Sequence, residues 1–228
     1  MVGVNTMNNF SEAFTFPFKD PNWLSKFLIG SVFIFLSFFL IGIPVLYGYC
    51  IEMQQRVRRG EQYPLPEWKD VGVKFILGFK YLVTLLIYYI PVFLVVIPIV
   101  LLLVVQNLDI PGTPKMFNGM EPELILVVFL IGYSLLISLL SPIISVKFAE
   151  HEKIREGLDV GDIIFLFGKH WQDALIAILL SMGVGIFAIA GLLLFIVGIF
   201  FTTFYALVVR YHLFGQIGKN MYYIPETV

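Results

Sequence analysis

The stretch Ala174–Val209, ALIAILLSMGVGIFAIAGLLLFIVGIFFTTFYALVV, runs for 36 residues without an Asp, Glu, Lys or Arg. A charge at the centre of a bilayer costs about 2.5–3.5 kcal/mol even on lenient insertion scales, so such a run marks a membrane segment. As a single helix it would extend roughly 54 Å at 1.5 Å per residue. A hydrocarbon core is only about 30 Å thick. The run is therefore expected to fold as a hairpin of two helices, 174–190 and 196–214, turning near Ala190–Gly198, where Gly191 and Gly198 punctuate it. The second helix runs past Arg210, whose side chain would snorkel to the interface.

Three further charge-free runs precede it: Phe27–Ile51, Tyr81–Leu108 and Leu124–Val146, of 25, 28 and 23 residues. Each fits one membrane-crossing helix, taken as 27–51, 81–105 and 124–146. The fold class that follows is all-α: a polytopic membrane helix bundle of about five transmembrane helices. Composition agrees. Hydrophobic residues make up 59% and charged residues 14%, against about 45–50% and about 25% in soluble domains. A formal net charge of −1 gives no field that would attract nucleic acid. The single cysteine, Cys50, excludes an intrachain disulfide and reads as a buried, inert thiol rather than a palmitoylation site. No cleavable signal is evident, so the first span would itself direct insertion. No connection is long enough for a soluble domain. The chain divides into an N-terminal aromatic interfacial segment, 1–26, one transmembrane domain, 27–215, and a tail, 216–228.

Basic residues orient the bundle. The connection 52–80 holds Arg56, Arg58, Arg59, Lys69, Lys74 and Lys80; the connection 147–173 holds Lys147, Lys153, Arg155 and Lys169; Arg210 and Lys219 follow the last span. Only Lys19, Lys26 and Lys115 fall on the other side. The positive-inside rule puts both connections and the C-terminus in the cytoplasm of a cell-membrane protein, and five spans then leave the N-terminus outside. A competing arrangement breaks the first run at Gly42-Ile43-Pro44 into a re-entrant hairpin and keeps the N-terminus inside.

A unit recurs. Gly42-Ile43-Pro44 leads through Arg58-Arg59 to Gly60; Ser141-Pro142 leads through Lys153-Ile154-Arg155 to Gly157; Gly198-Ile199-Phe200 leads through Arg210 to Gly215. Asp70-Val71-Gly72 and Asp159-Val160-Gly161 follow the first two. The inferred unit is an incoming helix, a glycine stop, an interfacial segment and an outgoing helix, a parallel repeat of a kind membrane proteins use. The interfacial segments are Pro66–Lys80, an amphipathic helix with Trp68, Val71, Phe75, Ile76 and Phe79 on one side, and Gly157–Asp173, anchored by Trp171. Trp23, Arg56, Arg58, Arg59, Trp68, Trp171 and Arg210 are the expected membrane-interface residues. Before the first span, Phe10, Phe14, Phe16, Phe18 and Trp23 are interleaved with Pro17 and Pro21, which predicts an extended aromatic segment on the membrane surface.

Little in the chain points to chemistry. There is no phosphate-binding glycine loop, no His-Glu-x-x-His and no Gly-x-Ser-x-Gly. His151 and His170 lie in polar connections and His212 at the end of the last span. Glu150, Glu152, Glu156, Asp159 and Asp162 interleave with His151, Lys153 and Arg155, as on a solvated helix, rather than forming a metal site. No catalytic, cofactor-binding or metal-binding residue is assigned. Inside the spans the polar groups are hydroxyls. Ser134 and Ser138, and Ala177, Ser181 and Gly185, are each four residues apart and predict a helix-packing seam. Pro91 and Pro98 are expected to kink the second span.

Several segments together resemble an uncharacterised domain-of-unknown-function family of prokaryotic multi-pass membrane proteins. They are Phe16-Pro17-Phe18-Lys19-Asp20-Pro21-Asn22-Trp23, Gly48-Tyr49, Arg56 with Arg59-Gly60-Glu61, Leu65-Pro66-Glu67-Trp68 and His212-Leu213-Phe214-Gly215-Gln216. The resemblance implies an integral membrane protein and brings no activity. The expectation is a non-enzymatic accessory, assembly or scaffold subunit, in contact with the lipid bilayer and a membrane-protein partner or a second copy of itself, without cofactor or nucleic acid. The alternative is a carrier for a lipid or small apolar solute. In that case Ser134, Ser138, Ser181 and Thr84 would converge on a lumen.

Overall fold

The computed structural model describes residues 11–107, 122–189, 191 and 195–221. Among them the chain is all-α, with no strand. The helices are α1 (Glu12–Lys19), α2 (Trp23–Leu36), α3 (Gly42–Arg58), α4 (Val71–Asn107), α5 (Pro122–His151), α6 (Ile154–Gly157), α7 (Val160–Ile189) and α8 (Phe195–Met221), with a 3-10 turn at Ser37–Phe39. Two compact units result, residues 1–84 with 140–228, and residues 85–139.

In the first unit α8 is the central element, with α2, α3 and α7 packed on it. Aromatic side chains fill the contacts: Phe27, Tyr49, Phe204 and Phe214 are essentially inaccessible. Helices α3 and α4 touch backbone to backbone. A Cβ on Gly48 would lie 1.8 Å from the Lys74 carbonyl oxygen, and one on Gly78 would lie 1.8 Å from that of Pro44. In the second unit the Tyr133 hydroxyl donates to the Tyr88 carbonyl. Outward there stand Ile90, Leu94, Leu101, Val128, Ile131 and Leu135, all exposed.

The first apolar run does not form one helix, which corrects the expected span 27–51. It breaks at Leu40, which has φ 64°, and doubles back. Ser37 prepares the break: its hydroxyl donates to the Phe33 carbonyl and its own carbonyl accepts from the Leu40 N–H. Gly42 completes it, because any side chain there would strike the Phe33 carbonyl oxygen at 2.1 Å. Helix α2 then runs antiparallel to α3, with Phe27 against Phe204 and Phe35 against Phe200, while α3 continues until Val57 meets Gly215. Both ends of this hairpin lie at one end of the unit. Lys19 and Lys26 therefore join the end that carries the 52–80 connection, against the expected N-terminus on the opposite side.

Among the described residues three helices are long and apolar enough to cross a membrane: Val71–Val105, Leu124–His151 and Val160–Ile189. A fourth is reached only if α1 and α2, bent by 107°, count as one span. Against the expected five spans, the described residues thus hold three, or four on that count, by length and composition. The fourth run does fold as two helices, α7 ending at Ile189 and α8 beginning at Phe195. The Thr202 hydroxyl closes this hairpin with a 2.8 Å bond to the Ala188 carbonyl.

The interfacial segments differ from expectation in opposite ways. Pro66–Lys80 is not a separate helix: residues 64–70 are irregular and α4 runs unbroken from Val71, with Pro91 and Pro98 inside it. Prolines 64 and 66 withhold N–H groups before the helix, and Asp70, at φ 53°, starts it by accepting the N–H groups of Val73 and Lys74. In α7, by contrast, His170 is non-helical (φ −120°, ψ 23°), which sets the 160–169 arm apart from the outgoing apolar arm. Asp159 starts that arm, accepting the Asp162 N–H on its carboxylate. Both Asp-Val-Gly tripeptides are thus helix starts. Gly60, at φ 73°, ends α3 as a stop, but Gly215 lies inside α8, where its missing side chain admits Val57. The N-terminal segment is helical over Glu12–Lys19 despite Pro17. Pro17 costs so short a helix only one interior bond. Phe10 and Lys115 lie outside the described residues.

Candidate functional site at the polar end of the first unit

The residues between α1 and α2 fold around an aspartate. Asp20 Oδ1 accepts the Asn22 N–H at 2.8 Å, closing the turn that Pro21 begins, and Oδ2 accepts from Lys26 Nζ at 2.8 Å. Lys26 Nζ also donates to the Leu65 carbonyl and to Glu67 Oε1, each at 2.9 Å. All three ammonium protons are used, which a lysine side chain only 6% exposed requires. The Lys26 carbonyl in turn accepts the Trp68 indole N–H at 2.8 Å. The indole lies between the rings of Phe33, at 4.9 Å, and Tyr49, at 4.2 Å. The Leu65–Trp68 segment is thereby pinned to the start of α2.

A cavity of about 390 Å³ opens beside this clasp, lined by Glu12, Phe16 and Lys19 of α1, Val57 and the Gly60–Gln62 turn, Pro64, and His212, Gln216, Lys219 and Asn220 of α8. Phe16 stacks on the His212 ring at 3.9 Å. His212 is 6% exposed, and its Nδ1 has no hydrogen-bond partner among the described residues. Lys19 pairs with Glu12 at 2.7 Å and holds that carboxyl below its usual range. Glu61 pairs with Arg59 at 2.8 Å and Arg56 at 3.7 Å. The Lys219 ammonium lies 3.8 Å from where a Gly60 Cβ would stand. It joins no ion pair among the described residues.

The expected interface residues have separate surroundings. Arg56, Arg58 and Arg59 are in ion pairs with Glu52, Glu150 and Glu61. Trp23 packs on Phe18 and Phe27, and Trp68 is held between rings rather than laid on a membrane surface. Trp171 is exposed. Arg210 is exposed at its own turn of α8, with its guanidinium over Phe214. The packing stripe is not one face. Ala177 is buried, Ser181 donates to the Ala177 carbonyl, and Gly185 is exposed with nothing within 4 Å of its Cβ position. A strict four-residue step drifts by about 40° around a helix. The buried face of α7 instead follows Ala174, Ala177, Ile178, Val184 and Ala188. Ser134 is exposed and Ser138 half-buried.

The carboxylates around His151 are largely engaged: Glu150 with Arg58, Glu152 with Gln55, Asp162 with Lys147. Among the described residues no cluster of His, Cys, Asp and Glu is placed to hold a metal ion. Sequence reasoning missed the Asp20–Lys26–Glu67 cluster. The Asp-Pro-Asn turn and the Pro-Glu-Trp segment were both visible, but nothing along the chain joins residues that lie 41 positions apart.

Fold and site together define an all-α bundle with several membrane-length apolar helices and a polar end stitched by ion pairs. Residues 31–201 match the family described as a protein of unknown function, DUF4013, and the chain belongs to that family. No curated protein and no solved structure matches. The matched stretch includes Gly60–Pro64 but stops short of Glu12–Lys19 and His212–Asn220, so the cavity is walled on two sides by residues beyond it.

Proposed function

We propose that the protein is a non-enzymatic integral membrane protein of the cell membrane, an accessory, assembly or scaffold subunit whose outer helix faces meet lipid and a partner protein or a second copy. The observation that carries this reading is the distribution of the intramembrane hydroxyls. A carrier of polar-walled type needs Ser134, Ser138, Ser181 and Thr84 around a lumen. Thr84 instead is fully buried against Gly157, with its hydroxyl bonded to the Lys80 carbonyl. Ser181 is bonded within its own helix, and Ser134 faces outward. Meanwhile Leu94, Val128 and Ile186 stand 62–70% exposed, a surface suited to lipid or to other apolar helices.

In the membrane, the N-terminal segment, both charged connections and the C-terminal end share the cytoplasmic side. The α2–α3 hairpin supports this. Only Gly42–Ile51 separates its tip from Glu52, which pairs with Lys74 at 2.6 Å. Ten residues span about 15 Å as helix, half of a core about 30 Å thick. With the Glu52–Lys74 pair at the headgroups, the exposed tip Phe38-Phe39-Leu40-Ile41 ends inside the bilayer. The hairpin then returns to the side it entered from.

The test is photo-crosslinking in native membranes from positions 94 and 128, followed by purification in mild detergent and mass spectrometry. One protein recovered in fixed ratio at both positions is the expected result. Crosslinks to lipid alone, with a monomeric particle that moves solutes in proteoliposomes, would overturn the subunit reading.

A further inference from the structure

We propose that the cavity between α1, the Gly60–Pro64 turn and the end of α8 binds a phosphate group. Its carboxylates are already neutralised, Glu12 by Lys19 at 2.7 Å and Glu61 by Arg59 at 2.8 Å. A further cation, Lys219, stands on the wall outside any ion pair among the described residues, its charge felt by Glu12 only at longer range. Lysine serves phosphate as a point charge, and the glycine at position 60 leaves room beside the ammonium. The second feature is His212. It lines the cavity, is 94% buried by its 6% exposure, and has Nδ1 without a hydrogen-bond partner among the described residues. A buried ring nitrogen without a partner is costly, and a phosphate oxygen supplies that partner when Nδ1 carries a proton, as in the imidazolium and in one of the two neutral tautomers. Phe16, stacked on the ring, fixes its orientation. The volume, about 390 Å³, is that of a small polar ligand or a lipid headgroup.

Two sources carry this chemistry, free phosphate and the headgroup of a phospholipid. Only the second rests on the membrane reading given above. The experiment uses the full chain, delipidated in a phosphate-free glycoside detergent, and follows acylation of Lys219 by peptide mass spectrometry. Exposed Lys69, outside the cavity, is the internal control. Inorganic phosphate is added in one arm, and reconstitution into phosphatidylglycerol nanodiscs, against nanodiscs of a phosphate-free glycolipid, forms the other. The expected result is about tenfold slower acylation of Lys219 relative to Lys69 in at least one arm, equivalent to about 1.4 kcal/mol. Lys219→Met, a change at an exposed side chain, and His212→Phe should each abolish retention of the same probe in native mass spectrometry while Lys219→Met melts as wild type. Protection by inorganic phosphate assigns a free phosphate ligand; protection in phosphatidylglycerol alone assigns the headgroup. Equal acylation of both lysines in every arm, or undiminished retention in Lys219→Met, overturns the proposal. Failure of the subunit reading would leave the inorganic phosphate arm unaffected.

Discussion

The ammonium of Lys26 lies 2.8 Å from Oδ2 of Asp20, and the two side chains are only 6% and 4% exposed. This pair, with Glu67 and the Leu65 carbonyl, fastens the first turn of α2 to the loop before α4. Removing one member of a buried pair strands the other charge and costs about 3–5 kcal/mol, whereas replacing both is far milder. Lys26→Met should therefore destabilise the protein by about that amount, and Asp20→Asn combined with Lys26→Met should recover most of the loss. Thermal unfolding in detergent checks both, and a double variant no better than the single one would remove the pair from its assigned role.

The Gly48–Gly78 approach predicts an asymmetry among glycines. Gly48→Ala drives a methyl group into the Lys74 carbonyl at 1.8 Å and should cost about 3 kcal/mol or more, as overpacking does. Gly168→Ala meets nothing within 4 Å and should be neutral or stabilising by up to about 1 kcal/mol. Yield of monodisperse protein and its melting temperature read the difference; similar behaviour of the two variants would contradict the close crossing.

Trp68 predicts a graded series. Trp68→Phe keeps an aromatic ring between Phe33 and Tyr49 but loses the bond to the Lys26 carbonyl, worth about 1 kcal/mol. Trp68→Ala empties the slot and should cost about 3–5 kcal/mol. Melting temperatures should fall in that order, and a Trp68→Phe as damaging as Trp68→Ala would place the stabilisation in the hydrogen bond instead of the stack.

The hairpin geometry predicts topology. In a Cys50→Ala background, chosen because Cys50 is wholly buried, cysteines placed at Ser11 and Gln62 should react with a membrane-impermeant maleimide from the same side. A cysteine at Leu40, on the hairpin tip, should stay unlabelled in intact membranes and react in detergent. Labelling of positions 11 and 62 from opposite sides would restore a full crossing by the first apolar run.

How much of this was legible in the chain follows from which interactions are local. The stop at Gly60 could be read directly, because the glycine stands next to the helix it ends, whereas the helix starts at Asp70 and Asp159 lay hidden inside the longer interfacial segments expected there. The 36-residue run had to bend because its length exceeded a bilayer. The first run was misread for a related reason. At 25 residues its length allowed one crossing; Gly42-Ile43-Pro44 offered the break as a competing arrangement, and the Ser37 hydroxyl bond to Phe33 with the close Phe33–Gly42 approach decided that it doubles back. The packing stripe on α7 failed because a four-residue spacing marks a face for only a few turns.

By itself the sequence determined that the protein is helical, that its long apolar segments suit a membrane and that charges gather in the connections, since these follow from composition and from the cost of an uncompensated charge in hydrocarbon. Tertiary structure alone decided which charges meet. Lys26 looked like a stray base on the far side of the membrane, and the fold makes it the buried centre of an ion cluster. His212 looked like an interfacial histidine at the end of the last span, and the fold closes Phe16 over it. Both outcomes depend on contacts between residues dozens to nearly two hundred positions apart, and the free energy of such contacts belongs to the packed helices together, not to any segment of the chain.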